Sequence, residues 1–171
     1  VSLNRTLKSD VGIYVEIKNV LHEPAAKNIV AEVHRLAVEF GYSAKGLIYE
    51  SFSKDVLLEL KNVHKTTLPL VQLLEGDEFG EHPTKGIIQA GLKQISGYAQ
   101  GVGIWIEALV RYGGKKVVSN GFVELAHEQG LQVHGYTVRK DALPQWVRSL
   151  DQLHRILFHE LRLDGVFTDH P

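Results

Sequence analysis

Cysteine is absent from the 171 residues, and so is methionine. The first absence excludes a disulfide framework and any thiolate metal site. It leaves the compartment open, because a disulfide-free protein can live on either side of a membrane. The second absence, in a chain that begins at Val1, leads us to expect that a natural start is missing, removed by processing or left in a longer polypeptide. No charged-then-apolar leader precedes the first structured stretch. Long apolar runs are lacking too. Thr67–Leu74 and Gly103–Val110 fall far short of the roughly 20 residues that a membrane-spanning helix needs. Neither sign of charge is in surplus: 19 Lys and Arg stand against 20 Asp and Glu, for a formal net charge of −1. That balance gives no support to nucleic-acid binding and shows no acidic, disordered tail. G-x-G-x-x-G and G-x-x-x-x-G-K-[ST] do not occur, so the nucleotide-binding versions of an open α/β sheet lose their support. With no repeat, low-complexity tract or linker, residues 1–171 read as a single domain.

What is present is an alternation of short apolar runs and longer amphipathic stretches, in a chain that is 44% hydrophobic. The runs Gly12–Lys18, Gly46–Phe52, Thr67–Leu73, Gly101–Ile106, Leu131–Val138 and Asp164–Thr168 are rich in Val, Ile and Tyr. Their nearly continuous apolar character predicts strands covered on both faces. Between them, Pro24 can open a helix with Ile29, Val30, Val33, Leu36, Ala37 and Phe40 inward, stopped by Gly41. Ser53 can cap a second, burying Val56, Leu57, Leu60 and Val63. Thr84 precedes a third with Ile87, Ile88, Leu92 and Ile95 inward. Ser119 precedes a fourth with Phe122, Val123, Leu125 and Ala126, closed by Gly130, and a fifth starts near Ser149 with Leu150, Leu153, Ile156, Leu157 and Leu161. Strand, helix, strand in repetition implies βαβ units and a parallel sheet, either open and doubly wound or closed into a barrel. A whole (β/α)₈ barrel takes about 250 residues, so six strands would leave roughly two units missing.

Glu16 and Lys18 stand two residues apart at the end of an apolar strand, on one face of it. A charge there is costly unless it is paired or bound to a metal. The plain reading is a salt bridge at a strand end; the sharper one is a carboxylate metal ligand beside a lysine that faces a substrate anion. Histidine is plentiful, with nine residues, yet no H-x-H or H-E-x-x-H pair occurs. His154 and His159 are five apart and miss a shared helix face, so most of these histidines read as helix-face or surface residues.

Three motifs tie the sequence to a known family. Gly12-Ile13-Tyr14-Val15-Glu16-Ile17-Lys18 resembles the G-[IV]-Y-x-E-I-K strand of glycerophosphodiester phosphodiesterases. Glu50-Ser51-Phe52 is similar to that family's Q-S-F strand end. Val133-His134-Gly135-Tyr136-Thr137-Val138-Arg139, then Leu143-Pro144, then Leu163-Asp164-Gly165-Val166-Phe167-Thr168-Asp169-His170-Pro171 resembles its closing strand, loop, helix and D-G-[VLI]-[FI]-T-D-x-P signature. The resemblance runs from about Leu3 to Pro171. Tyr-Thr-Val-Arg followed by Leu-Pro is similar to the bacterial periplasmic and plant branch, which favours a periplasmic or extracellular location.

The resemblance implies an α/β fold, the TIM (β/α)₈ barrel, of which the chain supplies about six strands and five helices with the N-terminal strands missing. It implies that Glu16 is a ligand of a divalent cation, calcium or magnesium, and that Lys18 sits beside it near the phosphate. Glu50, Gln72 and Tyr136 join Lys18 as substrate-contacting residues; Tyr136 reads equally as ordinary core packing. Glu50 stands where the family more often has glutamine, which alters hydrogen bonding at the pocket wall. Trp105, in a strand that loosely follows a family G-x-G pattern, either lines the pocket or packs in the core. Asp169 and Pro171 would shape the turn after the last strand, the Asp as a cap.

The implied reaction is hydrolysis of a small-molecule glycerophosphodiester to sn-glycerol 3-phosphate and an alcohol, in which the glycerol hydroxyl can attack first to give a cyclic phosphate that water opens. The family's H-R-G strand, its E-x-D metal ligands and its H-D pair all precede the Glu-Ile-Lys strand, and none occurs in residues 1–15. The expected catalytic histidines would therefore lie upstream, with no catalytic residue in this chain. The missing barrel segment would be supplied from outside or replaced by self-association. Two other readings stay open: a related phosphodiesterase of phospholipid head groups, similar to sphingomyelinase D, and a catalytically incomplete fragment or binding module.

Overall fold

The computed structural model describes residues 11–18, 28–80, 83–113 and 116–170. They divide into two compact units, Val1–Leu73 and Leu74–Pro171.

In the first unit the order is β1 (Ile13–Glu16), α1 (Ile29–Glu39), β2 (Leu47–Ser51), α2 (Lys54–Asn62) and β3 (Leu70–Leu74), whose last residue falls in the second unit. β1 pairs parallel with β2 and β2 with β3, in chain order. β2 and β3 are buried along almost their whole length, which is why their sequences are nearly unbroken apolar runs. Ser53 caps α2: its Oγ accepts from the Val56 amide at 3.4 Å, satisfying one of the orphan N–H groups of the first turn. Asp55 in that turn and Lys61 in the last complement the helix dipole. Val56, Leu57 and Leu60 form the buried face.

Two expectations here need correction. Val63, expected inside, is 68% exposed, because it lies one residue past the last turn of α2. In α1 only Val30 and Ala37 are buried, while Ile29, Leu36 and Phe40 are each more than a third exposed. A period of 3.6 finds the side of a helix that faces inward, but not how wide a stripe the neighbouring elements cover. The expected start of α1 at Pro24 lies outside the described residues.

The second unit runs α3 (Lys85–Ser96), β4 (Gly101–Trp105), a 3₁₀ turn (Ile106–Leu109), β5 (Val110–Gly113), β6 (Lys116–Ser119), α4 (Phe122–Glu128), β7 (Gln132–Val138), α5 (Leu150–His154) continued by a π-helical turn (Arg155–Glu160), and β8 (Gly165–Thr168). β4, β7 and β8 pair parallel in that order. Thr84 caps α3 through the Ile87 amide at 3.4 Å. Ile87 itself, expected inward, is 50% exposed in the first turn, and Ile88, Leu92 and Ile95 carry the burial. Gly130 ends the α4 segment at φ +73°, a left-handed conformation that glycine adopts without a Cβ penalty. Gly135 serves closeness instead: a Cβ there would come within 2.6 Å of Leu163 and 2.8 Å of Ile106, so only glycine lets β7 approach both.

The antiparallel hairpin β5–β6 was not anticipated. Asn120 anchors its base, donating from Nδ2 to the Ala108 carbonyl at 2.7 Å and accepting the Phe122 amide at 3.0 Å. Apart from that insertion, both units are βαβ structure with parallel strands, as the alternating pattern implied.

Candidate functional site

The strand register of the first unit settles which side chains share a face. Glu16 of β1 lies directly opposite Glu50 of β2. Side chains at matched positions of neighbouring parallel strands point the same way, about 4.8 Å apart. Two carboxylates therefore stand side by side at the C-terminal ends of these strands. Tyr14 and Ile48, two matched pairs earlier, share their face.

The two carboxylates differ in surroundings. The Glu16 side chain keeps about a third of its surface in solvent, and the Lys18 ammonium stands 4.0 Å from its Oε2 on a side chain that is 79% exposed. The plain salt-bridge reading of this pair thus has a geometric counterpart, at the outer limit of an ion pair. Glu50 is 7% exposed, and among the described residues its Oε2 has no hydrogen-bond partner. Burial, and then the negative charge of Glu16, push its carboxyl up to about 7. Burial and the charge of Glu50 in turn raise the Tyr14 phenol, which stays protonated. Tyr14 is a member of this face that the sequence reading did not single out, although its spacing of two from Glu16 was a sufficient signal.

Backbone ties hold the strand ends in place. The Ile17 amide donates to the Glu50 carbonyl at 2.9 Å, and Ser51 Oγ donates to the Ile17 carbonyl at 2.5 Å while accepting the Ser53 amide at 3.0 Å. Ser51 is fully buried and joins the segment after Glu16 to the start of α2. Gln72, 4% exposed, donates from Nε2 to the carbonyls of Ser51, Phe52 and Leu73 at 3.2, 3.0 and 3.0 Å. Its amide NH₂ thus clamps the end of β2. In parallel register Gln72 matches Ser51 rather than Glu50, which puts it on the opposite face from the carboxylate pair.

In the second unit, Trp105 and Tyr136 are matched residues of β4 and β7. Trp105 is 46% exposed, so the core-packing alternative does not hold for it. Tyr136 is half-buried and donates its hydroxyl to the Leu74 carbonyl at 2.6 Å. His134 packs edge-on to the Phe167 ring and against Gly165, and burial depresses its basicity. Asp169 forms an ion pair with Arg139 at 3.5 Å; Pro171, its partner in the expected turn, lies outside the described residues.

Among the described residues, no group of three or more His, Asp or Glu side chains is placed to hold a metal ion. The pair at β1 and β2 nevertheless suits a hard cation chemically. It offers carboxylate oxygens, and one of them is buried with no donor to satisfy it. Among the described residues no helix is long and apolar enough to cross a membrane.

Comparison with known proteins adds to this geometry. The model of the glycerophosphoryl diester phosphodiesterase family matches residues 2–171. A glycerophosphodiester phosphodiesterase of Haemophilus influenzae is 31% identical, the match covering 99% of this chain and 53% of that protein. One of Treponema pallidum is 28% identical, covering 99% of this chain and 54% of the relative. The chain thus spans about half the length of the curated relatives it matches. The crystal structure of a glycerophosphodiester phosphodiesterase from Parabacteroides distasonis superposes with a TM-score of 0.61 at 15% identity, covering 99% of this chain and 58% of that one. That likeness is one of fold, a TIM barrel, of which six parallel strands and five helices are seen here.

Proposed function

The chain belongs to the glycerophosphoryl diester phosphodiesterase family, and from that membership we propose that it takes part in the hydrolysis of glycerophosphodiesters to sn-glycerol 3-phosphate and an alcohol. The observation that carries the reading is a carboxylate pair, Glu16 and Glu50, at the C-terminal ends of parallel strands, where barrel enzymes keep their chemistry.

In this reading Glu16 holds a divalent cation, calcium or magnesium. Such an ion, when bound, supplies positive charge to the phosphoryl oxygens, where negative charge builds as the diester is attacked. Lys18, on a long and largely solvated stem, brings a second positive charge toward the phosphate from the rim. Glu50 forms the buried wall beside Glu16. Gln72 serves the site by fixing, from the opposite face, the strand end that carries Glu50. Tyr136, in the second unit, keeps its hydroxyl anchored to the Leu74 carbonyl. In the bond-making step the glycerol hydroxyl attacks phosphorus and the alcohol leaves with a proton. Water then opens the cyclic phosphate to sn-glycerol 3-phosphate.

Glycerophosphocholine hydrolysis tests the reading, assayed in the longest natural polypeptide that contains this chain. Glu16→Gln should reduce turnover by at least about 10²-fold, the scale of a lost transition-state charge interaction. Turnover equal to the parent's would remove Glu16 from the site.

A further inference from the structure

Glu50 poses a physical problem that the reaction as written leaves open. A carboxylate that is 7% exposed normally accepts two or more hydrogen bonds or meets a cation, yet among the described residues its Oε2 accepts none. Its matched neighbour across the strand pair is Glu16, another acid, which makes an unshared negative charge at Glu50 still less favourable. Tyr14 shares the face, and its phenol, which burial and the charge of Glu50 keep protonated, brings no positive charge to offset the acid. The strand face that Glu16 shares therefore carries a buried carboxylate oxygen with no hydrogen-bond donor among the described residues.

We propose that Glu50 is a second direct ligand of the divalent cation, so that the ion sits between the carboxylates of Glu16 and Glu50. The inference rests on the reading of Glu16 as a cation ligand. Oxygen ligands stand about 2.0–2.6 Å from magnesium or calcium, so one ion bridges oxygens up to about 5 Å apart. Matched side chains on neighbouring parallel strands start about 4.8 Å apart, and small rotations bring their ends within that span. A cation placed there satisfies the orphaned Oε2 and turns the repulsion between the two acids into shared attraction. It accounts for an acid kept at a buried strand position where an apolar or amide side chain would cost less. One or two carboxylates, with water and the phosphate of a substrate completing the shell, are a usual set for magnesium. The backbone ties at Ile17 and Ser51 fix the spacing of the two strands, so the pair is held ready rather than assembled on binding.

Calcium and magnesium titrations of the purified 171-residue chain, read by calorimetry and by thermal melting, test the inference with Glu16→Gln and Glu50→Gln. Glu50→Gln is close to isosteric and should fold. It should weaken cation affinity at least about tenfold, as lost metal-site contacts do, and abolish most of the cation-induced rise in Tm. Without cation its Tm should equal or exceed the parent's, because the substitution removes a buried acid beside another acid. A Glu50 that is merely structural would behave the other way, with a lower metal-free Tm and unchanged affinity; that result overturns the inference. If Glu16→Gln loses the cation and Glu50→Gln keeps it, the inference fails and the Glu16 reading stands. If Glu50→Gln loses it and Glu16→Gln keeps it, Glu50 is a ligand and the Glu16 reading fails. Absence of any cation response in the parent chain up to about 10 mM, far above the range of dedicated sites, overturns both.

Discussion

Glu50 and Asp164 are acidic residues, one in each unit, the first near the C-terminal end of β2 and the second just before the N-terminal end of β8. Asp164 immediately precedes β8, and its Oδ2 accepts the Val133 amide at 2.8 Å near the start of β7 and faces His127 Nε2 at 2.9 Å. Burial alone would raise its carboxyl, but the Val133 amide and His127 outweigh it and lower it below the usual range. Glu50 lies near the C-terminal end of β2, with an oxygen that no described residue satisfies and a carboxyl raised to about 7. The acid at the N-terminal ends is fully engaged in holding two strands together. The acid at the C-terminal ends is held in place for a partner the chain does not provide. That division, stability below and chemistry above, is what a parallel barrel strand imposes on its polar residues.

The opposite pKa shifts give the comparison its most demanding test, because they predict opposite slopes of stability against pH. For Glu50 the folded value lies above the unfolded one. Its favourable contribution is therefore complete below about pH 4.5 and is lost as pH rises through about 7. In the metal-free chain this amounts to roughly 3 kcal/mol, at about 1.4 kcal/mol per pH unit between the ordinary value and about 7. Glu16, the matched acid on the neighbouring strand, disfavours its charged form, while the Tyr14 phenol on the same face stays neutral over this range. For Asp164 the folded value lies below the unfolded one, so its contribution is complete above about pH 4 and is lost as pH falls further. Denaturant melts from pH 3 to 8 on the parent, Glu50→Gln and Asp164→Asn separate the two. Glu50→Gln should flatten the decline between pH 5 and 7, and Asp164→Asn the decline below 4. An unchanged slope between pH 5 and 7 in Glu50→Gln would mean that Glu50 is not the strained acid described here.

A smaller effect is expected from deleting each side chain at neutral pH. Asp164→Ala leaves the Val133 amide, in a residue with no exposed surface, without its acceptor and costs about 2 kcal/mol. For a chain of this size that lowers Tm by roughly 4–8 °C. Glu50→Gln should lower it not at all. A fall of equal size in both variants, measured by calorimetry without cation, would erase the distinction between an engaged and a waiting carboxylate.

The part of this contrast that the sequence carried is the placement of the strands. All six parallel strands lie within the runs expected or one residue beyond them, and in β2, β3 and β4, buried on both faces, the cause is a nearly unbroken apolar record. Glu16 and Lys18 were legible as strand-end charges, and Ser53, Thr84 and Gly130 as helix boundaries. What could not be read is depth. Ile29, Leu36, Val63 and Ile87 fit their helical stripes but remain exposed, since periodicity assigns a face and not the area that neighbours cover. Glu50 is the reverse case: an acid that reads as a pocket-wall residue proves nearly fully buried. Its pairing with Glu16 depends on strand register, which no local pattern encodes. The β5–β6 hairpin was missed although Gly113-Gly114 between two short β-branched segments is a recognised turn signal.

Lys18 should show the smallest stability effect and a clear effect on binding, which places it with Glu50 on the side of chemistry. Its side chain is 79% exposed, and its ammonium reaches Glu16 only at 4.0 Å, so the ion pair adds almost nothing to folding. Lys18→Ala should therefore leave Tm within about 1–2 °C of the parent. If the ammonium is there to meet a phosphate, the same change should weaken the binding of sn-glycerol 3-phosphate roughly five- to tenfold, with the loss shrinking as salt is added and screens the charge. Calorimetric titration at two ionic strengths, beside a thermal melt, measures both quantities on one preparation. A drop in Tm of many degrees with unchanged affinity would return Lys18 to the plain reading of a strand-end salt bridge. The positive charge of the site would then have to come from the cation between Glu16 and Glu50.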